Sequence, residues 1–315
     1  MTKHDHPALK NATPFIILLF ITVVTMVTSN IVTPNMRNMQ FILNVLNQSM
    51  LLIVSGMGIL FVMSMGCIDL THGAVIVLAP LVGFLLNLKI GGTFVLFTVL
   101  VGLVVGFATG CIYSLLRVPT FVATLCISFI LRNLSYQIWN FTEGGYVYVP
   151  PHLLVLDNLG IKSLIVAALA LLMFYLFRFT RLGKNITYIG SDERVAGLSG
   201  VNVRWLKIVA FSISGTMAGL GALVSSLRTG SVALVSGQFF EWDVLIAVLL
   251  GGIPLTGGTN TKFLGVIIGA ITMSVLNNGL VVCRVPTFYQ EMLKGILLIL
   301  IVSISFNREK ILVIK

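Results

Sequence analysis

Residues 161–178, IKSLIVAALALLMFYLFR, form an apolar run that ends where the one long polar stretch of the chain begins. That stretch, residues 178–207, reads RFTRLGKNITYIGSDERVAGLSGVNVRWLK and carries eight of the thirty formal charges. A helix needs roughly twenty apolar residues to cross a bilayer core of about 30 Å. The run therefore predicts a membrane-spanning helix, and the polar stretch predicts a docking surface outside the bilayer.

The rest of the chain has the same apolar character. Hydrophobic residues make up 57% of the sequence and charged residues 10%, with a mean hydropathy of +1.04. A water-soluble fold of this length does not tolerate such a composition. The runs are continuous rather than alternating, which excludes the strands of a membrane barrel. The sequence predicts an all-α polytopic membrane protein with one transmembrane domain over residues 1–315.

About ten helices are predicted to span the membrane. Their ranges are 14–32, 41–65, 69–88, 93–116, 121–141, 161–178, 205–226, 240–252, 262–283 and 287–306. The second and third nearly merge, and the eighth is too short to cross unless the preceding loop contributes. The first is long and no small-residue cleavage site follows it, so we interpret it as a retained helix rather than a signal peptide.

The distribution of Lys and Arg predicts the orientation. If the N-terminus is cytoplasmic, thirteen of these residues fall on that side and five on the other, as the positive-inside rule requires. Both termini, the tail of about residues 1–13 and the loop of about residues 179–204 are therefore expected in the cytoplasm. Orientation and contact with anionic lipid explain the net charge of +10 without a nucleic acid. Arg132 and Lys294 lie within spans and are expected to extend toward a membrane surface.

Two pairs of short motifs suggest an internal duplication. Gly-Gly-Thr at 91–93 and Arg-Val-Pro-Thr-Phe at 117–121 flank the fourth span, and the same motifs at 257–259 and 284–288 flank the ninth. Five spans separate the copies, so equivalent motifs fall on opposite faces. This predicts two inverted halves of five helices each, a transporter plan with the path between the halves. Chance recurrence of Pro-Thr turns is the alternative.

Polar groups at membrane depth need partners. Asp69, in MGCIDLTHGAV, is predicted either to cap the helix of the third span or to contact substrate. Glu241 and Asp243 are predicted to cap or gate the short eighth span. Asn277 and Asn278 are predicted to bond across a helix interface. The glycines of 106–110 with Gly215, Gly219 and Gly221 predict close helix packing, and the four cysteines have no metal-ligand spacing, so no metal site is predicted.

The chain carries no nucleotide-binding loop of the GxxxxGK[ST] type. A transporter without a motor needs an external ATPase or an ion gradient, and an external ATPase also explains the charged loop at mid-chain. Within that loop, GSDERVAGLSG at 190–200 predicts a short helix, with Ser191 or Asp192 as its N-cap, Glu193 in its first turn and Gly200 beyond its end. Such a helix can seat in a groove of a partner.

The chain resembles the permease subunits of ribose-type monosaccharide ABC importers, within the group that includes branched-chain amino acid permeases. CIDLTHGA at 67–74 resembles the family's GIDLSVGS, and residues 180–203 resemble its TRLG and GxNxxAAxLSGI stretch. FEWDVLIAVLLGGIPLTGG at 240–258 resembles ELDAIAAVVLGGTSLAGG, and residues 276–300 resemble the closing spans. The departures are Cys67 for Gly, His72 for an apolar residue, and Asp192 to Val195 for an Asn-Glu-Ala-Ala run.

The resemblance implies a bacterial inner-membrane subunit that is not itself an enzyme. Its partners would be an ABC ATPase carrying ATP and magnesium, a periplasmic sugar-binding protein and a second permease copy, identical or homologous. It implies coupling to the ATPase through Gly190, Ser191, Asp192, Glu193, Ala196, Leu198, Ser199 and Gly200. Residues expected near the substrate path are Asp69, Thr71, His72, Asn277 and Asn278. Branched-chain amino acids as cargo, a self-contained secondary carrier and a non-transporting scaffold are the alternatives.

Overall fold

The computed structural model describes residues 38–116, 118–141, 147–259 and 261–305. In chain order its α-helices are α1 (Asn38–Ser64), α2 (His72–Ile90), α3 (Phe94–Leu116), α4 (Thr120–Phe141), α5 (Leu159–Phe179), α6 (Arg181–Ser191), α7 (Glu193–Leu198), α8 (Val203–Thr229), α9 (Phe240–Leu250), α10 (Phe263–Val282) and α11 (Thr287–Ser305). Strands β1 (Val147–Tyr148) and β2 (Ser231–Val232) pair antiparallel and tie the loop after α4 to the loop after α8. Short 3-10 helices cover Pro151–Asp157 and Leu234–Gly237.

Seven described helices are long and apolar enough to cross a membrane: α1 to α5, α8 and α10. The structure thus confirms an all-α polytopic membrane protein but not ten spans. The predicted first span, residues 14–32, lies outside the described residues. The predicted eighth span is the helix α9, whose 11 residues are too few to cross a bilayer. The predicted tenth span is α11, which has 19 residues but is not among the seven.

Helix burial separates a central group from a peripheral one. In the most apolar window of α1, 78% of the residues are buried, against 17% in α5 and 22% in α4. The largest buried cluster joins α1 to α8, α9 and α10 through side chains such as Phe61, Phe211, Val248 and Val266. The outer faces of α4 and α5 are apolar and exposed, as expected of surfaces that contact lipid.

Two interruptions divide the helices. The chain leaves α1 at Ser64 and starts α2 at His72, and it leaves α9 at Leu250 and starts α10 at Phe263. The interruptions touch: a Cβ on Gly257 would lie 2.4 Å from the amide nitrogen of Gly66. Both Gly-Gly pairs of the repeated motif have positive φ, which favours glycine. The threonine of each Arg-Val-Pro-Thr-Phe motif begins a helix, α4 or α11. The matched order supports the inverted repeat, which stays a prediction.

Glycines let α3 and α8 pack in backbone contact, as the sequence predicted. A Cβ on Gly102 would lie 2.4 Å from the carbonyl oxygen of Gly215, and one on Gly106 would lie 2.3 Å from that of Phe211. Such distances are shorter than real Cβ contacts. Small residues at crossings are how membrane helices approach closely.

Replacing Gly106 with leucine is expected to force α3 and α8 apart. Overpacking of a close interface typically costs about 1–3 kcal/mol, and occasionally more. The measurement is thermal unfolding of the purified chain in detergent. Gly295→Ala in α11 is the control, because nothing lies within 4 Å of a Cβ there. Equal stability of both variants would contradict the assigned contact.

Candidate functional site

The interruption before α2 is fixed by a buried polar network around Asp69. One carboxylate oxygen, Oδ1, accepts hydrogen bonds from the backbone amide of Thr71 at 3.0 Å and from its hydroxyl at 2.7 Å. The other, Oδ2, accepts from the hydroxyl of Ser214 on α8 at 2.7 Å. His72 Nε2 lies 2.8 Å from that hydroxyl. Asp69, Thr71, His72 and Ser214 are at most 1% exposed, so the network locks the interruption onto α8.

The predicted N-cap role of Asp69 is wrong in position. Helix α2 begins at His72, three residues after the predicted start, and Thr71 occupies its N-cap position without a side-chain cap bond. Asp69 instead closes a turn two residues upstream, because its short side chain reaches the Thr71 amide. Ser214 also stands between His72 and Asp69, whereas in a hydrolytic triad the histidine stands between the other two. The arrangement is a structural lock rather than an activated nucleophile.

A partly buried ion pair joins α4 to α9. Arg132 Nη2 lies 2.7 Å from Glu241 Oε2 and 2.9 Å from Oε1, and it also donates to the carbonyl oxygen of Gly237 at 3.1 Å. The two side chains are 28% and 11% exposed. Gly73 at the start of α2 packs against the same group, since a Cβ there would meet the Glu241 carboxylate and Arg132. The first turns of α2 and α9 therefore meet at this pair.

A second ion pair joins α9 to α11. Lys294 Nζ lies 2.9 Å from Asp243 Oδ1 and 3.0 Å from Glu291 Oε1. Asn277 on α10 donates to Asp243 Oδ2 at 3.0 Å. Charged groups at membrane depth are stable when they pair in this way. The next residue, Asn278, donates to Gln48 on α1 and to the Ser274 carbonyl, which confirms the interhelical bonding predicted for the asparagines.

These pairs correct two predictions. Arg132 and Lys294 do not extend toward a membrane surface, because each finds a carboxylate on α9. Glu241 and Asp243 lie in the first turn of α9, whose N-cap position is Phe239, with no side-chain cap bond. Their negative charges still suit the positive end of the helix. Two bases and two acids within predicted spans were the signal from which this pairing could have been foreseen.

Most of the polar segment, residues 178–207, folds as the helices α6 and α7, while its first residues end α5 and its last residues begin α8. Asp192 is the N-cap of α7, with Oδ1 accepting from the amides of Arg194 at 2.9 Å and Val195 at 3.1 Å. Gly200 follows the helix with φ of 82°, so the predicted helix, cap and end are confirmed. Ala196 is buried, whereas Leu198 is 89% exposed. Leu198 therefore presents an apolar side chain on the surface of the polar segment.

Helix α6 ends against both interruptions. A Cβ on Gly190 would lie 2.0 Å from the carbonyl oxygen of Ser64 and 2.6 Å from the amide nitrogen of Gly258. That amide donates to the same Ser64 carbonyl at 3.0 Å. Gly190 therefore sits on the backbone hydrogen bond that joins the end of α1 to the loop before α10. A displacement of α6 reaches both interruptions directly.

A second line of contacts runs from α7 to the loop before α2. Lys207 Nζ on α8 lies 2.8 Å from Glu193 Oε1 and 5.0 Å from the ring centroid of Tyr113 on α3. Cys67, two residues before Asp69, donates from Sγ to the Tyr113 hydroxyl at 3.6 Å. Sequence reasoning missed this line, since Tyr113 and Lys207 are far from Cys67 in the chain.

The predicted path residues fall into separate clusters. Asp69, Thr71 and His72 share one network with Ser214, whereas Asn277 joins the Asp243 group. Among the described residues, no hydrogen bond or ion pair joins the two clusters. The sequence missed Ser214, because an isolated serine in an apolar run carries no signal of its partners.

An all-α membrane domain with interrupted helices, buried ion pairs and an exposed polar helix pair defines a multi-pass membrane transport protein. Residues 41–302 match the family model described as branched-chain amino acid transport system / permease component, and the chain belongs to this family. No solved structure matches the chain.

Three curated relatives are similar over most of the chain. The ribose import permease protein RbsC of Escherichia coli (strain K12) is 29% identical over 88% of this chain and 89% of its own length. The D-allose transport system permease protein AlsC of the same strain is 31% identical over 82% of this chain and 81% of its own length. The autoinducer 2 import system permease protein LsrC of Yersinia pestis (strain Pestoides F) is 30% identical over 85% of this chain and 78% of its own length. The predicted permease class is confirmed.

Proposed function

We propose that the chain is the membrane subunit of an ATP-binding cassette importer for a monosaccharide. Permeases for ribose and D-allose are among its relatives. The mechanism rests on one observation: Gly190 packs directly against the backbone hydrogen bond between Ser64 and Gly258. Through this contact, a displacement of the polar segment would act at once on the interruption between α1 and α2 and on the one between α9 and α10. Rocking of two halves requires such a shared contact.

The partners follow from what the chain offers. Leu198, exposed at the end of the Asp192-capped helix α7, gives a surface for an ATPase that carries ATP and magnesium. No bond in the sugar changes during transport. A periplasmic binding protein would deliver the sugar, and a second permease copy, identical or homologous, would complete the assembly. We place the chain in a bacterial inner membrane, with both termini and residues 179–204 in the cytoplasm, on the count of Lys and Arg.

Within this function, Asp69, Thr71 and His72 are proposed to border the path by holding the interruption in place. Their polar atoms are largely occupied by one another and by Ser214. Asn277 and Asn278 are proposed to hold α10 against α9 and α1 beside the path. Glu241 and Asp243 are proposed to gate it, because each couples α9 to a different helix.

Reconstitution tests the function. The chain is placed in proteoliposomes with its ATPase and binding protein, and uptake is measured for labelled aldopentoses, aldohexoses and leucine. Sugar uptake is expected only when both partners and ATP are present. Uptake by the chain alone on an ion gradient would show a secondary carrier, and uptake of leucine in place of sugars would show the amino acid permease that the family description names.

A further inference from the structure

The structure holds a cavity of about 320 Å³ between α4 and α9, beside the interruption that precedes α2. Its lining includes Leu70 at that interruption and, from α4, the start of α9 and the two residues before it, Phe129, Arg132, Gln238, Phe239, Glu241 and Trp242. The volume is at the lower end of the range of about 300–1,000 Å³ for small-molecule sites. The cavity is therefore of a size for a small solute rather than for a peptide.

Two kinds of chemistry meet in this cavity. Three aromatic side chains, Phe129, Phe239 and Trp242, line it together with the Arg132–Glu241 pair. The face of an aromatic ring is negative and attracts the polarised C–H bonds on one face of a sugar ring. Guanidinium and carboxylate groups bond to neighbouring hydroxyls in pairs. An apolar solute would make no hydrogen bond to the charged pair, and an ion would make no contact with the aromatic rings.

The Arg132–Glu241 pair retains hydrogen-bond donors that a ligand could use. All bonds from Arg132 to described residues use Nη2, so no described residue occupies Nε or Nη1. Gln238 is exposed at the same wall and adds an amide. Phe239, 44% exposed, holds a φ of 59°, a rare conformation for a bulky residue that the surrounding structure must enforce. The backbone that carries the Phe239 side chain is thus held in a set conformation.

We propose that this cavity is a sugar-contact site on the import path and that its aromatic wall sets the preference among monosaccharides. The inference rests on the proposed function, since it names where the transported sugar touches the chain. The site would bind weakly, because a path must release what it accepts. It differs from the Asp69 network, whose side chains are at most 1% exposed.

The test uses the complete transporter in proteoliposomes with labelled D-ribose, D-xylose and D-allose as probes. Phe129→Ala and Trp242→Ala are each expected to lower initial uptake about two- to tenfold, the loss of one aromatic contact. The ratio of D-ribose to D-allose uptake is expected to change, while ATP hydrolysis stimulated by the binding protein stays at the wild-type rate. Phe121→Ala is the matched control, because Phe121 is also exposed on α4 but lies outside the cavity.

Phe129 is 58% exposed, so its truncation leaves no buried void and the variant is expected to fold even if Trp242→Ala does not. Trp242→Phe keeps a ring and is expected to restore most of the uptake. Wild-type rates and ratios in both alanine variants, or an equal loss in Phe121→Ala, would overturn the site while leaving the function intact. Absence of ATP-dependent uptake of every probe by the wild-type transporter would overturn the proposed function and this site with it.

Discussion

Gly190→Val is expected to uncouple ATP hydrolysis from transport. Even the Cβ of the added side chain would lie 2.0 Å from the Ser64 carbonyl oxygen and 2.6 Å from the Gly258 amide nitrogen. Both of these atoms belong to backbone, which cannot turn aside as a side chain can, so α6 must move away from the two interruptions. Coupling between distant sites is typically worth about 1–3 kcal/mol, so uptake should fall between about fivefold and 150-fold.

The measurement compares sugar uptake with ATP hydrolysis in the same proteoliposomes. Hydrolysis should continue in the Gly190→Val transporter but no longer rise when the binding protein is added. Gly197→Ala is the matched control in the same segment. A Cβ on Gly197 would meet only Val203, at 4.0 Å, and alanine favours helix α7. If Gly190→Val transported as well as Gly197→Ala, the contact of α6 with the interruptions would carry no coupling.

Arg132→Ala is expected to destabilise the chain strongly. It leaves the Glu241 carboxylate, 11% exposed, without its cation. Breaking a fully buried pair by removing one partner typically costs about 3–5 kcal/mol, and the loss here should be smaller because the Arg132 side chain is 28% exposed. The start of α2 should loosen as well, because Gly73 packs directly against this pair.

The double variant Arg132→Met with Glu241→Gln separates the charge effect from lost packing. Without a buried charge it should regain most of the stability that Arg132→Ala loses, since replacing both partners is often nearly neutral. Thermal unfolding of the purified chain in detergent measures both, with exposed Arg228→Ala as the control. Equal losses in the single and double variants would show that the pair does not hold α4 to α9.

The positions of most helices were predicted correctly because each membrane-spanning helix leaves a long continuous apolar run in the sequence. The predicted ranges 93–116 and 262–283 correspond to α3 (Phe94–Leu116) and α10 (Phe263–Val282). The N-cap of α7 was predicted as Ser191 or Asp192 by a local rule, since a cap bond joins residues two and three positions apart, and the structure shows Asp192. Local rules of this kind need no knowledge of the tertiary fold.

The partners of the polar residues were predicted poorly. Arg132 and Glu241 are 109 positions apart, and Asp69 and Ser214 are 145 apart. A charged residue within an apolar run indicates that a partner is needed, but the sequence does not indicate which residue that partner is. Arg132 and Lys294 were expected to extend outward because that solution requires no other residue, whereas the fold supplies carboxylates on α9.

The sequence by itself determined that this chain is a multi-pass membrane protein, where most of its helices lie, where the polar segment falls and to which family it belongs. Only the tertiary structure decided that α6 rests on both interruptions, that α9 takes the ion pairs from α4 and α11, and that aromatic and charged groups share one cavity. The physical reason is distance along the chain. Hydropathy and caps act over one helix, whereas the pairing of buried charges and glycine contacts depends on which helices the fold brings together.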